Sequence, residues 1–149
     1  MQMEEKKPVN FTYLAQRCGE LLSNNKNIQC AILEMGGWDT HNNQNSRLTI
    51  QLKQLDDGLM KFKTALGDTW DDTLVVVSTE LGRTVKVNGT KGTYHGTGSA
   101  MFFLGGALSN FKQETTQLSG RRVHGTWPGL SNEQLFVGRD LLPTTDVRD

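Results

Sequence analysis

Ile28-Gln29-Cys30-Ala31-Ile32-Leu33-Glu34-Met35-Gly36-Gly37-Trp38-Asp39-Thr40-His41 is the stretch on which the reading of the fold turns. The unbroken apolar centre, Cys30 to Leu33, suits a strand covered on both faces, as strands of a parallel sheet are. Two glycines then end the run and lead into Asp39-x-His41. An oxygen donor and a nitrogen donor, two residues apart at the end of a strand, make a plausible metal-binding or catalytic loop.

Outward from this stretch, the flanking segments have helical periodicity. Phe11, Leu14, Ala15, Cys18, Leu21 and Leu22 recur at three- and four-residue steps, which predicts a helix over 11–24 with Asn10 as its cap. On the other side Leu48, Leu52, Leu55, Leu59, Phe62 and Leu66 mark one face of a helix over 48–66, and Gly67 is placed to end it. Thr73 to Ser78 is a second apolar run of strand character. Strand, helix and strand make a βαβ unit, whose crossover is right-handed. Ser99 to Leu104 reads as a third strand. The span Ala107 to Gly129 has weak periodicity and reads as a short hairpin with loops. Ser131 to Leu142 reads as a last helix, capped by Ser131 and stopped by Pro143. The expectation is an α/β fold: a mainly parallel sheet of three or more strands flanked by helices. Residues 1–10 form a flexible N-terminal segment and 11–149 a single α/β domain.

The 149 residues are 36% hydrophobic and 21% charged, enough for one domain with a core. Lys+Arg and Asp+Glu are both 16, so the net charge is zero, and a general nucleic-acid binder usually carries a basic excess. Lys86, Lys91, Arg121 and Arg122 are scattered and lack interleaved aromatics. No apolar run approaches the ~18 residues of a membrane span, and Met1 to Asn10 lacks an apolar signal core, so the chain as written is expected in the cytoplasm, binding neither nucleic acid nor membrane. Cys18 and Cys30 read as two small buried hydrophobes.

In an open α/β sheet, ligands bind beyond the carboxyl ends of the strands. Asp39 and His41 follow the first predicted strand, Glu80 and Arg83 follow the second, and His95 precedes the third. Mixed oxygen and nitrogen donors of this kind suit zinc, manganese or iron better than calcium. Each signal has a plainer alternative. Asp39 can be an Asx turn or a helix cap, Glu80-x-x-Arg83 a local ion pair, and His41 a surface residue. His95, beside Gly96, is harder to explain as packing. His124, Trp38 and Trp127 read as structural or exposed residues.

Five motifs occur in order: Gly-Gly-Trp-Asp-Thr-His (36–41), Ser-Thr-Glu-Leu-Gly-Arg-Thr (78–84), Gly-Thr-Tyr-His-Gly (92–96), Trp-Pro-Gly-Leu (127–130) and Pro-Thr-Thr-Asp-Val-Arg (143–148). Together they resemble the C-terminal half of domain-of-unknown-function family 1501, over nearly the whole chain from Phe11 onward. That family in turn resembles the alkaline phosphatase and sulfatase superfamily. The resemblance implies two-metal hydrolase geometry, with Asp39, His41, Glu80 and His95 as metal ligands, zinc or manganese as the metal, and Arg83 binding an anionic group of a phosphate or sulfate ester. Three departures stand out. Glu80-Leu81 occupies the place of the superfamily's Asp-His, Tyr94 precedes the glycine-flanked histidine where the smaller family has Asp, and the superfamily's nucleophile-bearing N-terminal half has no counterpart here. Members of the smaller family are usually longer and often look exported in bacteria.

The functional expectation is therefore the metal-binding C-terminal portion of a phosphatase- or sulfatase-like hydrolase, inactive if the nucleophile-bearing half is missing. The alternative is a non-catalytic α/β binding or assembly module that pairs with the missing N-terminal half or with copies of itself.

Overall fold

The computed structural model describes residues 10–110, 123 and 125–146. Its elements are helix α1 (Phe11–Asn24), helix α2 (Gln44–Leu66), strands β1 (Val75–Val77), β2 (Gly82–Arg83), β3 (His95–Gly96) and β4 (Phe102–Leu104), and three short 3-10 turns. Backbone contacts divide the described residues into two compact units, one holding residues 10–38 and Ser46–Trp70, the other Asp39–Asn45 and the described residues from Asp71 onward. No helix among the described residues is long and apolar enough to cross a membrane.

The first unit is helical, and its helices form where local periodicity says they should. Asn10 caps α1 in an extended conformation, its side-chain oxygen accepting the Thr12 backbone N–H at 3.0 Å, which satisfies a donor the helix itself leaves free. Ala15, Phe62 and Leu66 are its buried hydrophobics. Gly19 lets α1 come close to α2: a Cβ there would lie 2.7 Å from the Phe62 carbonyl oxygen and 2.8 Å from the Ala65 Cβ. Helix α2 ends at Leu66, and Gly67 follows with φ +56°, opening a 3-10 turn over Gly67–Asp72.

The second unit carries all four strands found among the described residues, in two separate antiparallel pairs. β1 pairs β4 with Val75 opposite Leu104, Val76 opposite Phe103 and Val77 opposite Phe102. β2 pairs β3 with Gly82 opposite Gly96 and Arg83 opposite His95. Among the described residues of this unit, the buried side chains are Thr40, Thr84, Thr93 and Asp140, all polar.

The expected parallel sheet of three or more strands flanked by helices is therefore not the fold, and the βαβ unit falls with it. Ile28 to Met35 has no regular secondary structure and joins no ladder among the described residues, and Ile32 is 88% exposed. A strand exists by pairing with a neighbour, and an apolar run does not by itself provide one. The expected third strand is shorter, Phe102–Leu104, and runs antiparallel to β1. A parallel return needs a crossover of a dozen or more residues, usually a helix. The segment from β1 to β4 instead turns back on itself through the β2–β3 pair. The expected helix over 131–142 reduces to a 3-10 turn at Asn132–Gln134 and an isolated bridge between Phe136 and Asp140. Val137 and Gly138, with φ of +45° and +71°, take conformations an α-helix does not allow. Cys18 is half-buried in α1, but Cys30 is exposed, and both are free thiols. Arg121, Arg122, His124 and much of the span Ala107 to Gly129 lie outside the described residues.

Candidate metal centre

The second unit gathers Asp39, His41 and His95 around one carboxylate oxygen. Asp39 Oδ1 lies 2.8 Å from His41 Nε2, 2.9 Å from His95 Nε2 and 2.9 Å from Arg83 Nη1. The two imidazoles lie with centroids 5.0 Å apart. One ligand atom from each of Asp39, His41 and His95 falls within 4.8 Å of the others, so the three form a candidate metal-binding triad.

Local structure explains the convergence. His41 is held from behind by the turn 88–92: its carbonyl oxygen accepts from Asn88 Nδ2 and from Thr90 Oγ1, both at 2.8 Å. The turn is organised by Asn88, whose Oδ1 accepts the backbone N–H groups of Thr90 and Gly92, an Asx-type arrangement. Gly92 is required here, because a Cβ would stand 2.1 Å from the His41 carbonyl carbon and oxygen. His95 arrives through the β2–β3 register, opposite Arg83.

The hydrogen bonds of His41 fix which nitrogen can bind a metal. Its Nδ1 lies 2.9 Å from the Thr93 carbonyl oxygen. A carbonyl oxygen only accepts, so Nδ1 carries the hydrogen. In the neutral ring Nε2 then presents a lone pair to the Asp39 carboxylate at 2.8 Å. That opposition is relieved either by a second proton on the ring or by a cation between the two atoms. A histidine whose far nitrogen donates to a carbonyl is the usual pose of a metal ligand. Tetrahedral zinc sites set donor atoms roughly 3.3 Å apart for bond lengths of about 2.0–2.1 Å, and the donors here lie within 4.8 Å of one another. Asp39 is suited to remain ionised: the His95 imidazole foremost, then the Arg83 guanidinium and the charges of the two histidines, hold its carboxyl below the usual carboxylate range. The three ligand side chains are 41–57% exposed, leaving the site open to solvent or to an incoming ligand.

The other expected site residues sit differently. Glu80 is exposed in the bend between β1 and β2 and is not one of the clustered donors. Arg83 reaches the centre but spends three donors on the protein: Nη1 on Asp39, Nε on Thr93 Oγ1 at 2.9 Å and Nη2 on the Thr93 carbonyl at 2.6 Å. A guanidinium has five N–H donors, so two remain. Tyr94 is exposed, with its ring 6.2 Å from that of His41. Thr40, Gln44 and Thr93, which surround the triad, do not stand out in sequence. A threonine in a polar loop looks like surface, and only the Thr-x-His spacing of Thr93 and His95 hints that its carbonyl borders the site.

The model of the family described as "Protein of unknown function (DUF1501)" matches residues 1–145, and the chain belongs to that family. Searches of curated proteins and of solved structures give no match.

Proposed function

We propose that this member of the DUF1501 family binds a divalent transition metal through Asp39, His41 and His95, as the metal-binding portion of a phosphate- or sulfate-ester hydrolase. The observation that carries the reading is the pose of His41, with Nδ1 donating to the Thr93 carbonyl and Nε2 directed at Asp39. Two imidazoles and one carboxylate favour zinc or manganese over calcium or magnesium. When bound, such an ion supplies Lewis-acid polarisation of an ester oxygen. The two uncommitted donors of Arg83 lie beside the triad and suit an anionic group. The likeness of the ordered motifs to the alkaline phosphatase and sulfatase superfamily supports the same substrate class. Thr40 and Thr93 are buried and their hydroxyls donate to Gln44, so neither serves as nucleophile, and the reading assigns this chain metal and anion binding rather than turnover by itself.

Titration calorimetry with zinc and with manganese tests the metal. Saturable binding near one equivalent, abolished by Asp39→Ala and by His95→Ala, is expected. No uptake by the wild type would sink the reading. Aryl phosphate and aryl sulfate esters, offered with the preferred metal, then distinguish a binding portion from an active hydrolase.

A second reading, a non-catalytic assembly module, is favoured by the β1–β4 pair, where Val76, Phe102 and Phe103 are each about half exposed. Exposed apolar surface on short open-edged strands invites association. Light scattering across a concentration series checks this reading, and a monomer at every concentration would count against it.

A further inference from the structure

We infer that Thr93, clamped by Arg83 and Gln44, is a positioning residue that sets the tautomer of His41 and so prepares the triad for a metal. The inference rests on the metal-binding reading and names the residues that regulate that same site.

Thr93 is 4% exposed and bonded at both of its polar ends. Its hydroxyl donates to Gln44 Oε1 at 2.6 Å and accepts from Arg83 Nε at 2.9 Å. Its carbonyl accepts from Arg83 Nη2 at 2.6 Å and from His41 Nδ1 at 2.9 Å. Gln44 is held in turn by the buried Thr40 hydroxyl, which donates to the same Oε1 at 3.1 Å. Hydroxyl and carbonyl are thus fixed relative to each other by one rigid guanidinium, and the carbonyl cannot turn from the His41 ring without breaking buried hydrogen bonds.

The same guanidinium donates to Asp39 Oδ1, and its residue stands opposite His95 in the β2–β3 register. Arg83 therefore touches the first ligand directly, the second through Thr93, and the third through the strand pair. A residue serving only as a surface ion pair would need none of these extra bonds, and the Arg83 side chain is only 21% exposed. Partners that fix a histidine tautomer typically change metal affinity about 10–100-fold when removed.

Thr93→Val tests the clamp, because it removes the hydroxyl and keeps the backbone carbonyl; Thr93→Ser restores the hydroxyl. Long-range nitrogen–proton NMR of the metal-free protein reads which ring nitrogen of His41 carries the proton, and zinc calorimetry reads affinity. The wild type and Thr93→Ser are expected to show His41 protonated on Nδ1, with zinc affinities within about threefold of each other. Thr93→Val is expected to shift His41 toward the Nε2-protonated form and to lose about 10–100-fold in zinc affinity. Gln44→Leu, which removes the same acceptor from α2, is expected to move both readouts the same way and carries the test if the valine variant fails to fold. Unchanged tautomer and affinity in the folded variants would overturn the inference while leaving the metal reading intact. If the wild type takes up no zinc, the metal reading fails, and the tautomer shift alone decides whether Thr93 positions His41.

Discussion

His41 Nδ1 donates to the Thr93 carbonyl oxygen at 2.9 Å, and that bond decides which imidazole nitrogen faces Asp39. The two residues are far apart in sequence, yet the turn 88–92 closes on the backbone of residues 40–44 through a short ladder. Asn43 N–H donates to Thr90, Gln44 N–H to Lys91 and Thr93 N–H to Thr40. The ladder brings the Thr93 carbonyl to the ring, and the bonds of Thr93 to Arg83 and Gln44 hold it there. This separates the roles around the centre: Asp39, His41 and His95 offer donor atoms, and Thr93, Arg83 and Gln44 hold them in place.

Replacing Asp39 by Ala is expected to lower zinc affinity by more than the roughly 10–100-fold typical of losing an outer partner, because an anionic ligand disappears and Arg83 is left beside two imidazoles. Thermal stability is expected to change little, since the Asp39 side chain is more than half exposed and its ion pairs are screened. Calorimetry and a melting curve on the same variant check both halves. The sign of the pH effect follows from the lowered Asp39 pKa, set first by the His95 hydrogen bond. What the carboxylate contributes is fully present above the ordinary carboxyl pKa of about 3.9 and is lost as pH falls through the lower folded value. Zinc binding releases protons, so bound zinc is expected to leave on acidification, as a chromogenic chelator would register.

Gly92→Ala is expected to destabilise the second unit by about 1–3 kcal/mol, the usual range for overpacking, and to weaken metal binding with it. The new Cβ would meet the His41 carbonyl carbon and oxygen at 2.1 Å. These are backbone atoms already bonded to Asn88 and Thr90 and cannot retreat as a side-chain tip can. Chemical denaturation with and without zinc measures the loss. Wild-type stability in the alanine variant would contradict the close approach.

How much of this was legible in the sequence divides by range. Phe11–Asn24 and most of Gln44–Leu66 are visible in their own periodicity because a helix satisfies its hydrogen bonds within its own span. Asp39, His41 and His95 stand out because glycines flank them in two ordered motifs. Ile28 to Met35 has the composition of a buried strand, but a strand's existence rests on a partner elsewhere in the chain, and composition carries no record of that partner. The same limit hid the antiparallel sense of β4. Thr40, Thr93 and Gln44 were missed for another reason: their value lies in who accepts their hydrogens, and a threonine bound for a buried clamp has the same local signature as one in an exposed turn.

The apolar stripe of α2 predicts unequal costs along a face that sequence makes uniform. Leu66 is 2% exposed, whereas Leu52 is 46% exposed. Leu66→Ala is expected to cost about 2–5 kcal/mol through lost burial and the cavity left behind, while Leu52→Ala stays within about 0.5 kcal/mol. Urea unfolding of the two variants side by side checks the ranking, and equal losses would mean that the whole stripe is buried in solution.

The two thiols are expected to differ in reactivity. Burial in α1 disfavours the thiolate of Cys18 and pushes its pKa up, whereas Cys30 is exposed in a segment without helix or strand. The thiolate is the reactive form, so a chromogenic disulfide reagent near pH 8 should modify Cys30 first and Cys18 only slowly, with peptide mass mapping to assign the order. The raised pKa also fixes a sign. Between the ordinary cysteine value of about 8.5 and the higher folded value, the folded chain binds more protons than the unfolded one, so stability falls as pH rises through that window. Cys18→Ala should flatten this alkaline slope. Equal labelling rates, or a slope unchanged by the substitution, would place Cys18 in water rather than against α1's neighbours.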